Sequence, residues 1–345
     1  MLDQKQYKPK VSVIIPVYNE ERYIKKCLNS LLDQDFPHHL FEIIVVDGLS
    51  KDKTREIIKK YQRKYSIIRL IDNPKKIQSH ALNIGIHEAK GEIIIRADAH
   101  VRYAKDYIST CVQALENKRV WNVGGVQNAI GDNFISKAVA IAITSPFGVG
   151  DASFRYTAKL KYVDSVFLGC WRKSTLESLG GFEEWEVAED YELNCRIRKA
   201  GGKILVDPRI HCEYYARDSL RKLTIQYFRY GMWTIKLMIK HPEIARFRHL
   251  VPSAFILSLV ISLLLVEYHW ALSMIVPGLY LIANIIASVK ASLKRGMQYL
   301  PLLPVVFAII HLSWGVGFFY GIRKFGIPKI SLHNIVKVLV WRKTN

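Results

Sequence analysis

Cysteine is scarce in this chain. The five present among 345 residues (Cys27, Cys111, Cys170, Cys195 and Cys212) are odd in number, scattered singly and without a C-x-x-C pair. That pattern excludes a disulfide framework and a zinc ribbon, and it fits a reducing compartment. The amino terminus, MLDQKQYKPK, is polar and lacks the apolar stretch of a secretory signal, so the soluble domain that follows is expected to stay in the cytoplasm. Repeats and low-complexity tracts are missing too. Acid is in deficit, with 30 Asp and Glu against 50 Lys and Arg and a formal charge of +20. No recognised nucleic-acid module accompanies that charge, so nucleic acid is not an expected partner. Work against anionic lipid, on phosphate-bearing ligands, accounts for the excess more simply.

Charge itself vanishes late in the chain. Residues 1–245 mix charged and apolar residues as a soluble domain does, whereas Leu250–Val266 and Trp270–Val289 contain no Lys, Arg or Asp, and Tyr299–Ile322 is nearly as apolar. About twenty apolar residues span a bilayer core as a helix. Expected boundaries are therefore a catalytic-sized domain over 1–215, amphipathic interfacial helices over 216–248, a transmembrane region of two or three spans over 249–322, and a basic tail over 323–345.

What is present in the first half is a run of alternating elements. Val11–Pro16, Phe41–Val46, Ile67–Ile71 and Glu92–Ala97 are β-branched runs that read as buried strands. Helices are expected from Asn19-Glu20-Glu21 onward, over Asp52–Tyr65 and over Ser79–Ala89. Strands alternating with helices imply right-handed crossovers and a mostly parallel, Rossmann-like sheet. Ligands of such sheets bind beyond the carboxyl ends of the strands, where this sequence places Asn19-Glu20, Asp47, Asn73 and Asp98-Ala99-His100. Farther along, Phe147–Arg155 reads as a loop, Phe167–Arg172 as a short strand and turn, and Leu179-Gly180-Gly181-Phe182 as a turn before the acid-rich Glu183–Glu192. Arg217–Lys240 has the composition of an interfacial amphipathic helix.

Taken in order, Pro16-Val-Tyr-Asn-Glu20, Val45-Val-Asp47-Gly-Leu-Ser-Lys-Asp52-Lys-Thr54, the strand Gly91–His100, Gly180-Gly-Phe182 and Glu189-Asp190 resemble the family 2 inverting glycosyltransferases, across roughly residues 11–233. Finer features look like the branch containing succinoglycan-type membrane glucosyltransferases of bacterial exopolysaccharide biosynthesis: Asn73–Asn83, the Asp-Ala-His ending, Phe147–Arg155, Glu189–Asn194 and His311–Phe318. The resemblance implies an α/β GT-A catalytic domain followed by a C-terminal α-helical membrane domain. It implies a multi-pass membrane enzyme that transfers a sugar from a nucleotide-sugar, UDP-linked by expectation, to a polyprenyl-linked saccharide acceptor on the cytoplasmic face. A processive polysaccharide synthase is the alternative; a non-catalytic scaffold with a degenerate nucleotide pocket is a third.

Site residues follow by resemblance. Pro16, Tyr18, Glu20 and Asp47 would line the nucleotide pocket, with Asp47 accepting from the uracil edge, and Lys75 or Lys76 would meet phosphate or base. Asp98 would lie near ribose and diphosphate. His100 takes the place where relatives commonly carry the metal-holding aspartate, for Mn²⁺ or Mg²⁺. Imidazole suits Mn²⁺ better than Mg²⁺, which prefers oxygen. A divalent cation neutralises a departing diphosphate. Inverting transfer needs a carboxylate base for the acceptor hydroxyl, a role that falls to Asp190, with Glu189 in support. Gln226, Arg229 and Trp233 are similar to the Q-x-x-R-W motif of polysaccharide synthases, with Tyr230 in place of Trp. Trp171 and Arg172 are candidates for acceptor contact, and Arg155 for a phosphate.

Topology leaves one open point. The connector Glu267-Tyr268-His269 lacks Lys and Arg, and Lys290, Lys294 and Arg295 follow the second apolar run, as the positive-inside rule asks. A third full span would put Arg323, Lys324, Lys329, Lys337, Arg342 and Lys343 outside, against that rule. Pro301, Pro304, Gly315, Gly317 and Gly321 offer the other route, a broken or re-entrant segment.

Overall fold

The computed structural model describes residues 8–245 and 247–329. Among the described residues nine strands form one sheet: β1 (Val11–Val17), β2 (Phe41–Asp47), β3 (Ile68–Asp72), β4 (Ile93–Arg96), β5 (Val101–Tyr103), β6 (Asn122–Ile130), β7 (Lys161–Tyr162), β8 (Phe167–Arg172) and β9 (Ile204–Tyr215). Their order is β3-β2-β1-β4-β8-β6-β9-β5, with β7 added against β9. β1 to β4 are parallel, and a helix precedes each of β2, β3 and β4. β8 then runs antiparallel to β4, β6 to β8, and β5 and β7 to β9. The expected mostly parallel sheet is thus parallel only in its first half. Beyond Arg96 the ladders no longer depend on helical crossovers, and antiparallel pairing needs none.

Chain contacts divide the protein into two compact units, Met1–Asn128 with Ser153–Tyr214, and Ala129–Ala152 with Tyr215–Asn345. In the first, the β-branched runs of β1, β2 and β4 are buried on both faces, as a helix-covered parallel sheet requires. Helix Gln78–Glu88 lies close on β1: a Cβ on Gly85 would stand 2.3 Å from Ile14 Cγ2. One apolar cluster joins Ile14, Ile44, Ile94, Trp171, Leu176, Phe182 and Leu193.

The second unit is helical. Helix Leu220–Lys240 packs along helix Leu303–Phe325, and glycine lets the backbones meet. A Cβ on Gly231 would fall 2.0 Å from Trp314 O, and one on Gly317 2.1 Å from Phe228 O. Small residues at such a seam permit close helix–helix approach. The prolines and glycines of 299–322 therefore do not break that segment. Pro304 sits in the first turn, where its missing N–H costs nothing, and Gly315, Gly317 and Gly321 lie inside one continuous helix as contact points. Among the described residues, two helices are long and apolar enough to cross a membrane, Trp270–Arg295 and Leu303–Phe325, while His249–Leu264 is apolar but shorter. Of the basic tail, residues 330–345, including Lys337, Arg342 and Lys343, lie outside the described residues.

Two motifs far apart in sequence meet in this unit. Phe147–Arg155 is not all loop: Pro146–Val149 forms a helical turn and Ser153–Arg155 a 3-10 turn. The Phe147 carbonyl bonds His311 Nε2 at 2.8 Å, the rings stand edge to face at 5.0 Å, and His311 Nδ1 bonds Tyr280 Oη at 3.0 Å.

Candidate active site

The carboxyl ends of β1, β2, β3 and β4 gather the polar residues of the first unit. After β1 the chain turns through Asn19 in the left-handed region, φ 54°, and the helix begins only at Ile24. The expected start at Asn19 fails because residues 19–21 give their polar groups to the loop after β2. Asn19 N donates to Ser50 Oγ at 2.8 Å, Lys51 N to Asn19 Oδ1 at 2.9 Å, and Glu20 N to Thr54 Oγ1 at 2.8 Å. Leu49, Lys76 and Ala188 also carry positive φ, of 58°, 59° and 66°. A non-glycine residue held there costs of order 1–3 kcal/mol and persists where the surroundings fix it. Four such residues frame this region of the first unit.

Asp47 closes β2 and is fully buried. Its carboxylate already accepts from Ser50 N at 3.0 Å, from the Ser50 hydroxyl, and from Arg55 Nη1 at 2.6 Å. Arg55 reaches on to Asp72 Oδ1 at 2.7 Å, the residue paired with Asp47 in the ladder. Tyr18 is exposed, and Pro16 and Glu20 are half-buried nearby in sequence. Of the two lysines, Lys75 is held by Glu184, Nζ to Oε1 at 2.6 Å, whereas Lys76 is exposed at its strained turn.

Asp98 follows β4 and is nearly buried. Tyr103 clamps its backbone: Asp98 N donates to the Tyr103 hydroxyl at 2.7 Å, and that hydroxyl donates to Asp98 O at 3.2 Å. Asp98 Oδ1 accepts from Arg96 Nε at 3.2 Å and Gln78 Nε2 at 3.4 Å. His100 does not stand alone: its Nδ1 lies 3.1 Å from Glu20 Oε1, with its ring against the edge of Tyr214. Since a carboxylate is an acceptor only, this pairing puts the proton on Nδ1 and the lone pair on Nε2. Carboxylate-held histidines of that kind are common metal ligands. Among the described residues no group of three or more His, Cys, Asp or Glu is placed to hold a metal ion by itself. One lone-pair imidazole and the second oxygen of Asp98 do fit a cation whose remaining ligands are phosphate oxygens and water.

The acid pair opens helix Glu189–Lys199, whose N-terminal end favours negative charge. Glu189 is buried, its Oε1 taking a hydrogen bond from Arg96 Nη1 at 3.0 Å. Burial pushes its carboxyl up to about 7, against the pull of Arg96 and with Asp190 adding to the rise. Arg96 stays firmly protonated, because Asp98, Glu189 and Asp190 together outweigh its desolvation. Asp190 is half-buried, and its Oδ1 accepts from Tyr191 N at 2.7 Å. Upstream, Asn83 grips Phe182, Nδ2 to O at 2.6 Å and N to Oδ1 at 2.8 Å, and Ser79 Oγ donates to Trp185 O at 2.9 Å. Gly180 and Gly181 turn the chain with φ of 79° and 72°, and Arg196 donates to Leu179 O and Gly181 O. The Asn73–Asn83 motif thus fastens the segment that delivers Glu189 and Asp190.

Several expected contacts lie elsewhere. Trp171 is 1% exposed and set edge to face on Phe182, a core residue and not an acceptor platform. Arg172 pairs with Ile93 at the opening of β4, the opposite end from Asp98, and donates to Val120 O and Leu115 O. Arg155 lies over the Phe154 ring at 5.5 Å. Gln226, Arg229 and Trp233 belong to the second unit. There Gln226 Nε2 donates to Tyr230 Oη at 2.9 Å, and Trp233 is buried against Phe325 beneath Lys236 Nζ. Packing inside the helices, not exposure to a sugar, explains that tryptophan. Sequence reasoning missed Arg96, whose signal was an arginine inside a buried apolar strand.

A family model described as "Glycosyl transferase family 2" matches residues 12–172. Over 327 residues the chain is 30% identical to a Methanococcus voltae protein named dolichyl N-acetyl-alpha-D-glucosaminyl phosphate 3-beta-D-2,3-diacetamido-2,3-dideoxy-beta-D-glucuronosyltransferase, covering 91% of this chain and 97% of that one. Over 309 residues it is 29% identical to succinoglycan biosynthesis protein ExoA of Rhizobium meliloti (strain 1021), covering 89% and 93%. In fold it is similar to the mannosyltransferase PcManGT of Pyrobaculum calidifontis, solved with GDP-Man and Mn2+, at a TM-score of 0.60 and 18% identity over 92% of this chain and 88% of that one. Strand-end polar residues, acid pair and near full-length likeness converge: this chain is a GT-A enzyme of glycosyltransferase family 2.

Proposed function

We propose that the enzyme transfers a sugar from a UDP-sugar, with inversion, to a polyprenyl-linked saccharide, and that Asp190 is the base. The observation that supports this reading is the Arg96 bridge, which bonds Asp98 and Glu189 at once and so brings the strand-end acid near the Glu189-Asp190 pair. Glu189 is sequestered, so Asp190 is the acid left half-open to an acceptor hydroxyl. A positioned, partly desolvated carboxylate suits proton removal from an attacking hydroxyl. A Mn²⁺ or Mg²⁺ ion on Asp98 and His100 Nε2 would neutralise the leaving diphosphate.

The lipid-linked acceptor is supported by the dolichyl phosphate in the Methanococcus relative's name and by the two long apolar helices. An open apolar groove of about 500 Å³, lined in part by Leu281, Val305, Ala308 and Leu312, also favours a lipid-bearing substrate. Residues 249–322 serve as the membrane region in this reading, with the catalytic unit on the cytoplasmic side beside anionic lipid. The test is UDP release from a panel of UDP-sugars with membrane lipid extract and divalent metal. Wild type should turn over, and Asp190→Asn should bind UDP normally yet lose at least about a hundredfold in rate. Equal rates would remove Asp190 as the base.

A further inference from the structure

Arginine is almost never fully buried unless it is paired, yet β4, an otherwise apolar strand, ends on one. The Arg96 side chain is 8% exposed, and its backbone is fixed by the ladder, in register with Ile14. From there its guanidinium makes two bonds in different directions, Nε to Asp98 Oδ1 at 3.2 Å and Nη1 to Glu189 Oε1 at 3.0 Å. The residues it joins are fixed by different means. Tyr103 clamps the Asp98 backbone from both sides. The segment before Glu189 is tied down as far as Trp185 O, by Ser79. Between Trp185 and the helix lie Glu186, Val187 and the left-handed Ala188. Within the first helical turn Tyr191 Oη also donates to Asp164 Oδ2, and the Arg96–Glu189 bond is the tie that joins this turn to the end of β4 beside Asp98.

We propose that Arg96 is a positioning residue for glycosyl transfer: one planar guanidinium holds the donor-side carboxylate and the turn bearing Asp190 in fixed register, so that filling the donor site is felt at the base. The rigid fork is what the role needs. A lysine ammonium at the same place is a single point on a flexible stem and does not reproduce two divergent bonds. Misplacing a catalytic group by about 1 Å costs roughly a hundredfold in rate. The proposal rests on Asp190 being the base, and its test separates the two.

The purified full chain is given UDP with manganese, and amide hydrogen exchange is followed across residues 186–193. In wild type, UDP slows exchange there several-fold. In Arg96→Lys, UDP affinity stays within about threefold of wild type, protection of 186–193 disappears, and kcat falls about a hundredfold with the acceptor KM unchanged. In an Asp190→Asn background the same Arg96→Lys change should cost under about threefold more, since it acts through Asp190. Equal UDP protection in wild type and Arg96→Lys, or the same fold-loss in both backgrounds, overturns the proposal. Undiminished turnover by Asp190→Asn alone would instead defeat the base assignment and leave the exchange result standing. Should Arg96→Lys fail to fold, the pair Arg96→Gln with Glu189→Gln, which leaves one fewer buried charge, is compared with Glu189→Gln alone by the same exchange measurement. Loss of UDP protection only in the double variant supports the proposal, and retained protection ends it.

Discussion

Glu189 makes a pH-dependent demand on the fold that a single substitution isolates. Buried beside Arg96, its carboxyl is raised from 4.5 to about 7 by desolvation. The sign follows from proton counting: between those values the native chain keeps a proton that the unfolded chain has released, so rising pH favours unfolding. The contribution is complete below pH 4.5, falls through the interval and levels off above 7. A shift of that size corresponds to about 3 kcal/mol. Glu189→Gln keeps an oxygen for Arg96 Nη1 and cannot titrate. Its absolute stability depends on how much the bond loses with the charge, but that offset does not vary with pH. The informative quantity is therefore the difference in Tm between variant and wild type, measured by scanning calorimetry from pH 5 to 8.5. It should move in the variant's favour by roughly 6–12 °C across that range, at 2–4 °C per kcal/mol for a unit of this size. Parallel Tm curves would refute the raised carboxyl, and a difference moving the other way would mean that Arg96 wins over burial.

Three further outcomes are expected. Asn83→Ala strips both hydrogen bonds from the Phe182 backbone; urea unfolding should show a loss of about 2–4 kcal/mol, and kcat should fall as the acid-bearing segment loosens. Glu20→Gln removes the carboxylate that orients His100; manganese affinity in the presence of UDP, read by electron paramagnetic resonance, should drop about 10- to 100-fold, and an unchanged affinity would take His100 out of the metal site. Gly317→Val drives a side chain into Phe228 O, 2.1 Å from the ideal Cβ; thermal unfolding should register at least about 1–3 kcal/mol of damage, where Gly278→Val, with open space around it, should register little.

The first hundred residues were legible because parallel strands announce themselves: IIIR and EIIVV have few other places to go than a covered sheet, and the polar residues that end them had to lie at its carboxyl edge. The antiparallel half gave weaker signals, since β7 is two residues long and β9 carries a proline at Pro208. Trp171 misled because an aromatic within a familiar motif reads as a contact, whereas β8 is covered on both faces from Leu168 to Trp171 and takes the ring into the core. In 299–322 the glycines look like breaks in a one-dimensional pattern, and only the neighbouring helix reveals them as places of close approach. Glu20 and His100 stand 80 residues apart, beyond any local periodicity. Arg96 was within reach of the sequence: a buried cation two positions from an acid needs a second partner, and the acid pair at 189–190 was already in view.

The division of the chain between its two units also governs how it can be taken apart. The path passes from one unit to the other after Asn128, returns after Ala152 and leaves again after Tyr214. No single cut therefore frees the catalytic unit. A fragment ending near residue 215 would keep Ala129–Ala152 but lose Phe307, His311 and Tyr280, the rings on which Phe147 rests. Such a fragment carries a stranded apolar helical segment through its middle, and a soluble catalytic piece calls for a short polar bridge in place of that segment as well as a stop codon.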